Sequence, residues 1–188
     1  MRLWAANRAA LPVLVLSFIA AWLGLPGSAV FVAFPNLTGG RALTAPLSAV
    51  LPLVTALALT VGLARQDAVR ESLARRRIWL LDLALVALAL AFVAASAIVI
   101  GGSVLWESFR NALGYCGLTL LSAALFSLRA AALPAIAWAF ASAVCLLPMS
   151  SDLLSWPMAP ASAPLSWAIP LCLILVGPVA YLVRIPTL

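Results

Sequence analysis

Six long apolar runs, separated by short polar or turn-rich breaks, set the pattern of the chain. They cover approximately residues 11–34, 47–63, 78–100, 111–128, 130–147 and 166–183. Each reaches or approaches the ~20 apolar residues that an α-helix needs to cross a hydrocarbon core about 30 Å thick. The pattern predicts an all-α, polytopic membrane protein. It forms a single transmembrane domain over residues 1–188, with six transmembrane helices and both termini cytoplasmic. The first run follows a basic start, yet it stays apolar far beyond a leader's core and fits a retained first span. Pro12 suits its first turn, whereas Gly24, Pro26 and Gly27 make its outer half irregular. The third run, Ile78 to about Ile100, is interrupted only by Asp82, which is within snorkelling reach of Arg75 to Arg77. In the fourth, Gly114 and Gly117 would let helices approach closely. Pro134 falls in the first turn of the fifth, and Pro170, Gly177 and Pro178 interrupt the sixth.

The breaks are as informative as the runs. Between the second and third runs, ARQDAVRESLARRR gathers Arg65, Asp67, Arg70, Glu71, Arg75, Arg76 and Arg77 into one segment. Glu71 lies four residues before Arg75 and Asp67 three before Arg70, with Val69 and Leu73 on one face. The expectation is an amphipathic helix at the membrane surface. Arginine-rich short loops stay on the cytoplasmic side, so this segment orients every span around it. On that assignment Arg2, Arg8, Arg65, Arg70, Arg75, Arg76, Arg77, Arg129 and Arg184 fall inside, and only Arg41 and Arg110 outside. The external break GGSVLWESFRN is expected to hold Trp106 at the interface and to pair Glu107 with Arg110 in a short surface helix. The proline-rich stretch before the sixth run, PMSSDLLSWPMAPASAPLSW, is too polar to span. It reads as an external loop with an interfacial or re-entrant helix near Asp152 to Trp156. Glu107, Arg110, Asp152 and Trp156 are the external gate candidates.

Composition sharpens this picture. The chain is 66% hydrophobic and 9% charged, with a mean hydropathy of +1.19. A soluble domain with those values would aggregate. The net charge of +6 resides in arginines that flank apolar spans, not in a stripe with stacking aromatics, so nucleic acid is not a partner. Cys116, Cys145 and Cys172 each lie in an apolar run without a CxxC pair and read as small buried hydrophobes. The chain has no histidine, which excludes imidazole as metal ligand, general base or pH switch. No nucleophile–base pair, carboxylate pair or phosphate-binding glycine loop is evident, so the chain is expected not to be an enzyme and to carry no cofactor or metal of its own. Nor is there a mid-span ionisable residue of the kind a proton- or sodium-coupled carrier keeps.

A membrane body without an energy source, presenting one charged helix to the cytosol, suggests docking to a soluble motor. The layout resembles the membrane subunits of type-2 ATP-binding-cassette (ABC) exporters, which share six spans, an arginine-rich coupling helix between the second and third, and a helical re-entrant segment before the sixth. RNALGYCGLTLLSAALFSLRAAALPAIAWAF, from Arg110, is similar to the Arg-Asn, Gly-Leu and Leu-Pro pattern of small actinobacterial permeases of that type. The sequence departs from the family's Glu-Gly-Thr coupling signature: Glu71 is followed by Ser72, Leu73 and Ala74. The resemblance implies a permease dimer, with a copy or a related subunit, above a separate ATPase that holds ATP and Mg. Arg65 to Arg77 would transmit its motion, with Arg70, Glu71, Arg75 and Arg76 as contacts. The implied location is the bacterial cell membrane, and the implied cargo is hydrophobic or amphipathic, such as an antibiotic, peptide or lipid-linked compound. The alternative is a non-transporting scaffold or regulatory subunit whose basic helix binds anionic membrane lipid or a cytosolic protein.

Overall fold

A computed structural model describes residues 9–27, 29–34, 43–65, 78–146 and 152–184. Its helices are α1 (Ala10–Gly27), α2 (Leu47–Val50), α3 (Pro52–Ala64), α4 (Ile78–Ile100), α5 (Ser103–Leu125), α6 (Leu133–Ala141) and α7 (Ala168–Arg184). A π-helical stretch, Ser142–Leu146, continues α6, and a 3-10 turn, Pro164–Trp167, leads into α7. The one sheet among the described residues is an antiparallel pair, β1 (Phe31–Phe34) with β2 (Leu43–Pro46). The protein is thus mostly helical, and the purely helical expectation needs that correction.

Among the described residues three stretches are long and apolar enough to cross a membrane: Leu47–Ala64, Trp79–Ile100 and Pro164–Arg184, with mean hydropathies of 2.1, 2.9 and 2.0. Ala10–Gly24 and Leu133–Val144 are shorter apolar helices. The outer faces are apolar too: Leu11, Val99, Leu175 and Val183 are each at least 70% exposed. Such a surface suits lipid, not water.

Two expected boundaries move for identifiable reasons. The first apolar run does not stay helical to residue 34. Pro26, in the last turn of α1, cannot donate to the preceding turn, and the helix stops at Gly27. The apolar residues after it satisfy their backbone across a ladder instead, pairing Val32 with Ala45 and Ala33 with Thr44. In the second run Pro52 also removes an N–H, but Leu51 keeps helical angles (φ −52°, ψ −38°), so α2 and α3 continue one another. The helix of the fourth apolar run, α5, starts at Ser103, well before residue 111. Gly101 and Gly102, with φ of +75° and +97°, turn the chain within two residues, a conformation that side chains disfavour. Trp106, Glu107 and Arg110 therefore sit on a long helix and not on an external surface helix.

Side-chain bonds fix how the helices run. Ser166 lies beside Arg110, while Arg184 donates to the carbonyls of Ala123, Ala124 and Phe126. Hence α5 and α7 run in the same direction. Tyr181, near the end of α7, meets Asp82, near the start of α4, so α4 runs the opposite way. Ser108 reaches the Ser48 carbonyl, and Asn111 and Tyr115 that of Ala49, which puts the starts of α2 and α5 at one end. Every residue from Arg110 to Gly117 is buried, and α5 is the central post of the bundle.

Candidate functional site

The first half of α5 carries a stripe that reads Glu107, Arg110, Asn111, Gly114, Tyr115. Steps of three and four residues place all five on one helix face. That face receives the segment 152–167. Pro157, Pro160 and Pro164 have no N–H and bias the residues before them away from helix. Residues 152–158 accordingly form successive turns, not the helix expected near Asp152 to Trp156. Backbone carbonyls of this segment are consequently left to side-chain donors, and α5 supplies them.

Arg110 is fully buried. Its Nη2 donates to the Ala159 carbonyl at 2.7 Å and to Asn111 Oδ1 at 3.2 Å. Nη1 donates to the Ser166 hydroxyl at 2.6 Å and to the Pro160 carbonyl at 3.1 Å, and Nε to Asn111 Oδ1 at 3.2 Å. Ser166 Oγ in turn donates to the Ala163 carbonyl at 2.7 Å. A buried guanidinium is tolerable only when its rigid fork of donors is matched by acceptors, as it is here. Asn111 Nδ2 extends the network, donating to the Pro157 carbonyl at 2.8 Å.

Glu107 and Arg110 do not form the surface ion pair expected of their spacing. The Glu107 carboxylate accepts from the Ala161 N–H at 3.2 Å, and the Trp167 indole donates to the Ala161 carbonyl at 3.0 Å. Both charged residues of the stripe thus bond to the backbone of the docked segment, Glu107 at Ala161 and Arg110 at Ala159 and Pro160.

Trp156 closes the lower edge. It is fully buried, its ring 5.1 Å from that of Tyr115, in a cluster with Leu53, Ala56, Ala135 and Ala139. Among the described residues its indole N–H has no acceptor. Packing therefore holds the ring in place, against the cost of an unsatisfied donor.

Of the four gate candidates, the structure brings Glu107, Arg110 and Trp156 into this one site. Asp152 lies exposed at its margin. Arg65 caps α3 and is exposed. Asp67, Arg70, Glu71, Arg75, Arg76 and Arg77 lie outside the described residues, as does the expected pairing of Asp82 with Arg75 to Arg77. Asp82 itself is buried and accepts a hydrogen bond from Tyr181 Oη at 3.3 Å. Sequence reasoning missed Asn111, Tyr115 and Ser166. The signal for the first two was present: separating an external surface helix from a span that begins at Asn111 cut the helical stripe in two.

Chemically, the arrangement holds a turn-rich segment against the core by a lattice of hydrogen bonds. Among the described residues no group of three or more His, Cys, Asp or Glu side chains could hold a metal ion. Comparison with family models, with curated proteins and with solved structures finds no match.

Proposed function

We propose that the chain is a membrane-spanning permease subunit of an ATP-driven exporter of the ABC class. It crosses the bacterial cytoplasmic membrane six times, with both termini in the cytosol. One observation carries the reading: the segment before the last helix folds inward and docks on α5 through Arg110. Because α5 and α7 run in the same direction, the chain returns between them through Leu133–Leu146 and then turns in before descending again. An inward-turning segment before the last helix is what the resemblance to type-2 exporters implies, and it supports the reading. The chain also leaves α3 at Arg65 and enters α4 at Ile78 away from the end that holds this segment, as a cytosolic coupling helix between them requires.

On this reading the basic segment receives the push of a separate ATPase, which holds ATP and Mg. The docked segment closes the external end of a path formed with a second permease subunit. A hydrophobic or amphipathic cargo suits aliphatic walls. The test is co-purification with an ATP-binding-cassette ATPase, followed by replacement of Glu71 and Arg75 with alanine. The double variant should fold and bind the ATPase normally but lose export-linked stimulation of ATP hydrolysis. Normal export by that variant refutes the coupling role, and a chain that never recruits an ATPase refutes the permease assignment.

A further inference from the structure

At the end of the bundle away from Arg110, α1 and α3 leave an open groove between them that encloses about 300 Å³. Its floor is the buried pair Val13 and Ala58, and its rims are the exposed side chains of Leu16, Leu57 and Val61. Arg65 lines one end. The groove follows one face of α3 from Val54 to Arg65, a helical rise of about 16 Å. Half of a hydrocarbon core about 30 Å thick is ~15 Å. The groove is thus as long as one leaflet is deep, apolar along that whole length and cationic where it ends.

We propose that this groove is a binding site for an anionic phospholipid. One acyl chain lies between α1 and α3, and the headgroup phosphate sits on the Arg65 guanidinium. Two features select this occupant. A second copy of this chain carries the same net charge of +6, which repels and does not match an arginine at the end of the groove. A soluble anion would use the arginine but none of the apolar length behind it. Basic pockets between membrane helices take phosphate-bearing headgroups by charge, and an adjoining hydrocarbon slot adds retention. The proposal does not depend on the exporter reading, since it needs only a bilayer around the bundle.

The full-length chain, purified in detergent, is titrated with phosphatidylglycerol or phosphatidylcholine of identical acyl chains, and retained lipid is counted by native mass spectrometry. Wild-type protein should retain phosphatidylglycerol about fivefold better, the selectivity expected of one arginine near a headgroup. Arg65→Gln should abolish the preference while leaving weak retention of both lipids. Val61→Trp fills the slot from its exposed rim and keeps every arginine; it should lower retention of both. The proposal fails if Arg65→Gln keeps the preference or if Val61→Trp binds lipid like wild type. It also fails if glycerol phosphate, which has the headgroup charge and no chain, competes as well as the whole lipid. Efficient disulfide cross-linking of two copies through Val61→Cys in a bilayer overturns it as well, because a partner would then cover the groove.

Discussion

The indole of Trp156 occupies the space that Gly114 leaves by having no side chain. A Cβ built at position 114 would overlap three atoms of the six-membered ring. Tyr115, the next residue on α5, flanks the same ring. The glycine is required by this docking: the helix stays regular, and the space beside it is taken by an aromatic group from a segment more than forty residues away.

Gly114→Ala should therefore expel Trp156 or strain α5, at a cost of about 1–3 kcal/mol for overpacking a filled core. Thermal unfolding in detergent should show a lowered midpoint, and near-UV circular dichroism a weakened signal from the Tyr115–Trp156 pair. Trp156→Leu in the same chain removes the clashing ring. The double variant should lose less than the sum of the two single losses. Strict additivity would show that Gly114 and Trp156 do not share this contact.

The contact between α5 and α7 has the same character but a different partner. A Cβ at Gly117 would meet the backbone of Leu173 and Ile174, and one at Gly177 would meet the Gly117 carbonyl. Backbone cannot rotate away as a side chain can. Either glycine replaced by alanine should separate the helices and cost more than Gly114→Ala, on the order of 3 kcal/mol. Cross-linking between cysteines placed on the two helices reads the separation directly. An unchanged cross-linking rate in Gly117→Ala would contradict the close approach.

Much of this fold was legible from hydrophobic pattern alone, and particular residues show where legibility stopped. The bounds Ile78–Ile100 follow directly from an apolar run, interrupted only by Asp82, between arginines and a glycine pair. The start of α5 did not, because Glu107, Arg110 and Asn111 look like a polar break when read one at a time. The burial of Arg110 and Asn111 is a tertiary fact: the acceptors that offset the cost belong to residues 157–166, which no local window contains. The β1–β2 ladder was hidden for the converse reason. Phe31–Phe34 is as apolar as the helix before it, and hydropathy does not distinguish a short apolar strand from a helical turn. Gly117 was noticed as a small residue, but its partner Gly177 was read only as an interruption of the last span.

Near the opposite end of the bundle, Tyr181 donates to Asp82 at 3.3 Å, with both side chains buried. This bond ties the first turns of α4 to the last turns of α7. Tyr181→Phe removes one donor from a buried carboxylate and should cost about 1.5–3 kcal/mol, the range for a hydrogen bond to a charged group. Asp82→Asn retains an acceptor oxygen and should cost less than Asp82→Leu. Chemical unfolding in mild detergent checks the order. If Leu is tolerated as well as Asn, the bond contributes nothing to stability.

Arg110 offers the sharpest separation between charge and geometry. Its guanidinium satisfies the Ala159 and Pro160 carbonyls, the Ser166 hydroxyl and the Asn111 side chain together. Lysine keeps the charge but offers one nitrogen on a flexible stem, and it cannot reach acceptors spread around a planar fork. Alanine removes the charge and leaves buried acceptors unmatched, each costing about 1–3 kcal/mol. Arg110→Lys should therefore retain the bundle while loosening the docked segment. Arg110→Ala should release the segment altogether. Hydrogen exchange at Ala161 reports this, because its N–H is held by Glu107 only while the segment is docked. Exchange there should accelerate from wild type to Lys to Ala, while amides in the middle of α4 stay protected. If Lys leaves Ala161 as protected as wild type, positive charge alone suffices and the fork geometry is irrelevant. If α4 exchanges in step with Ala161, Arg110 stabilises the whole bundle and has no particular hold on the segment.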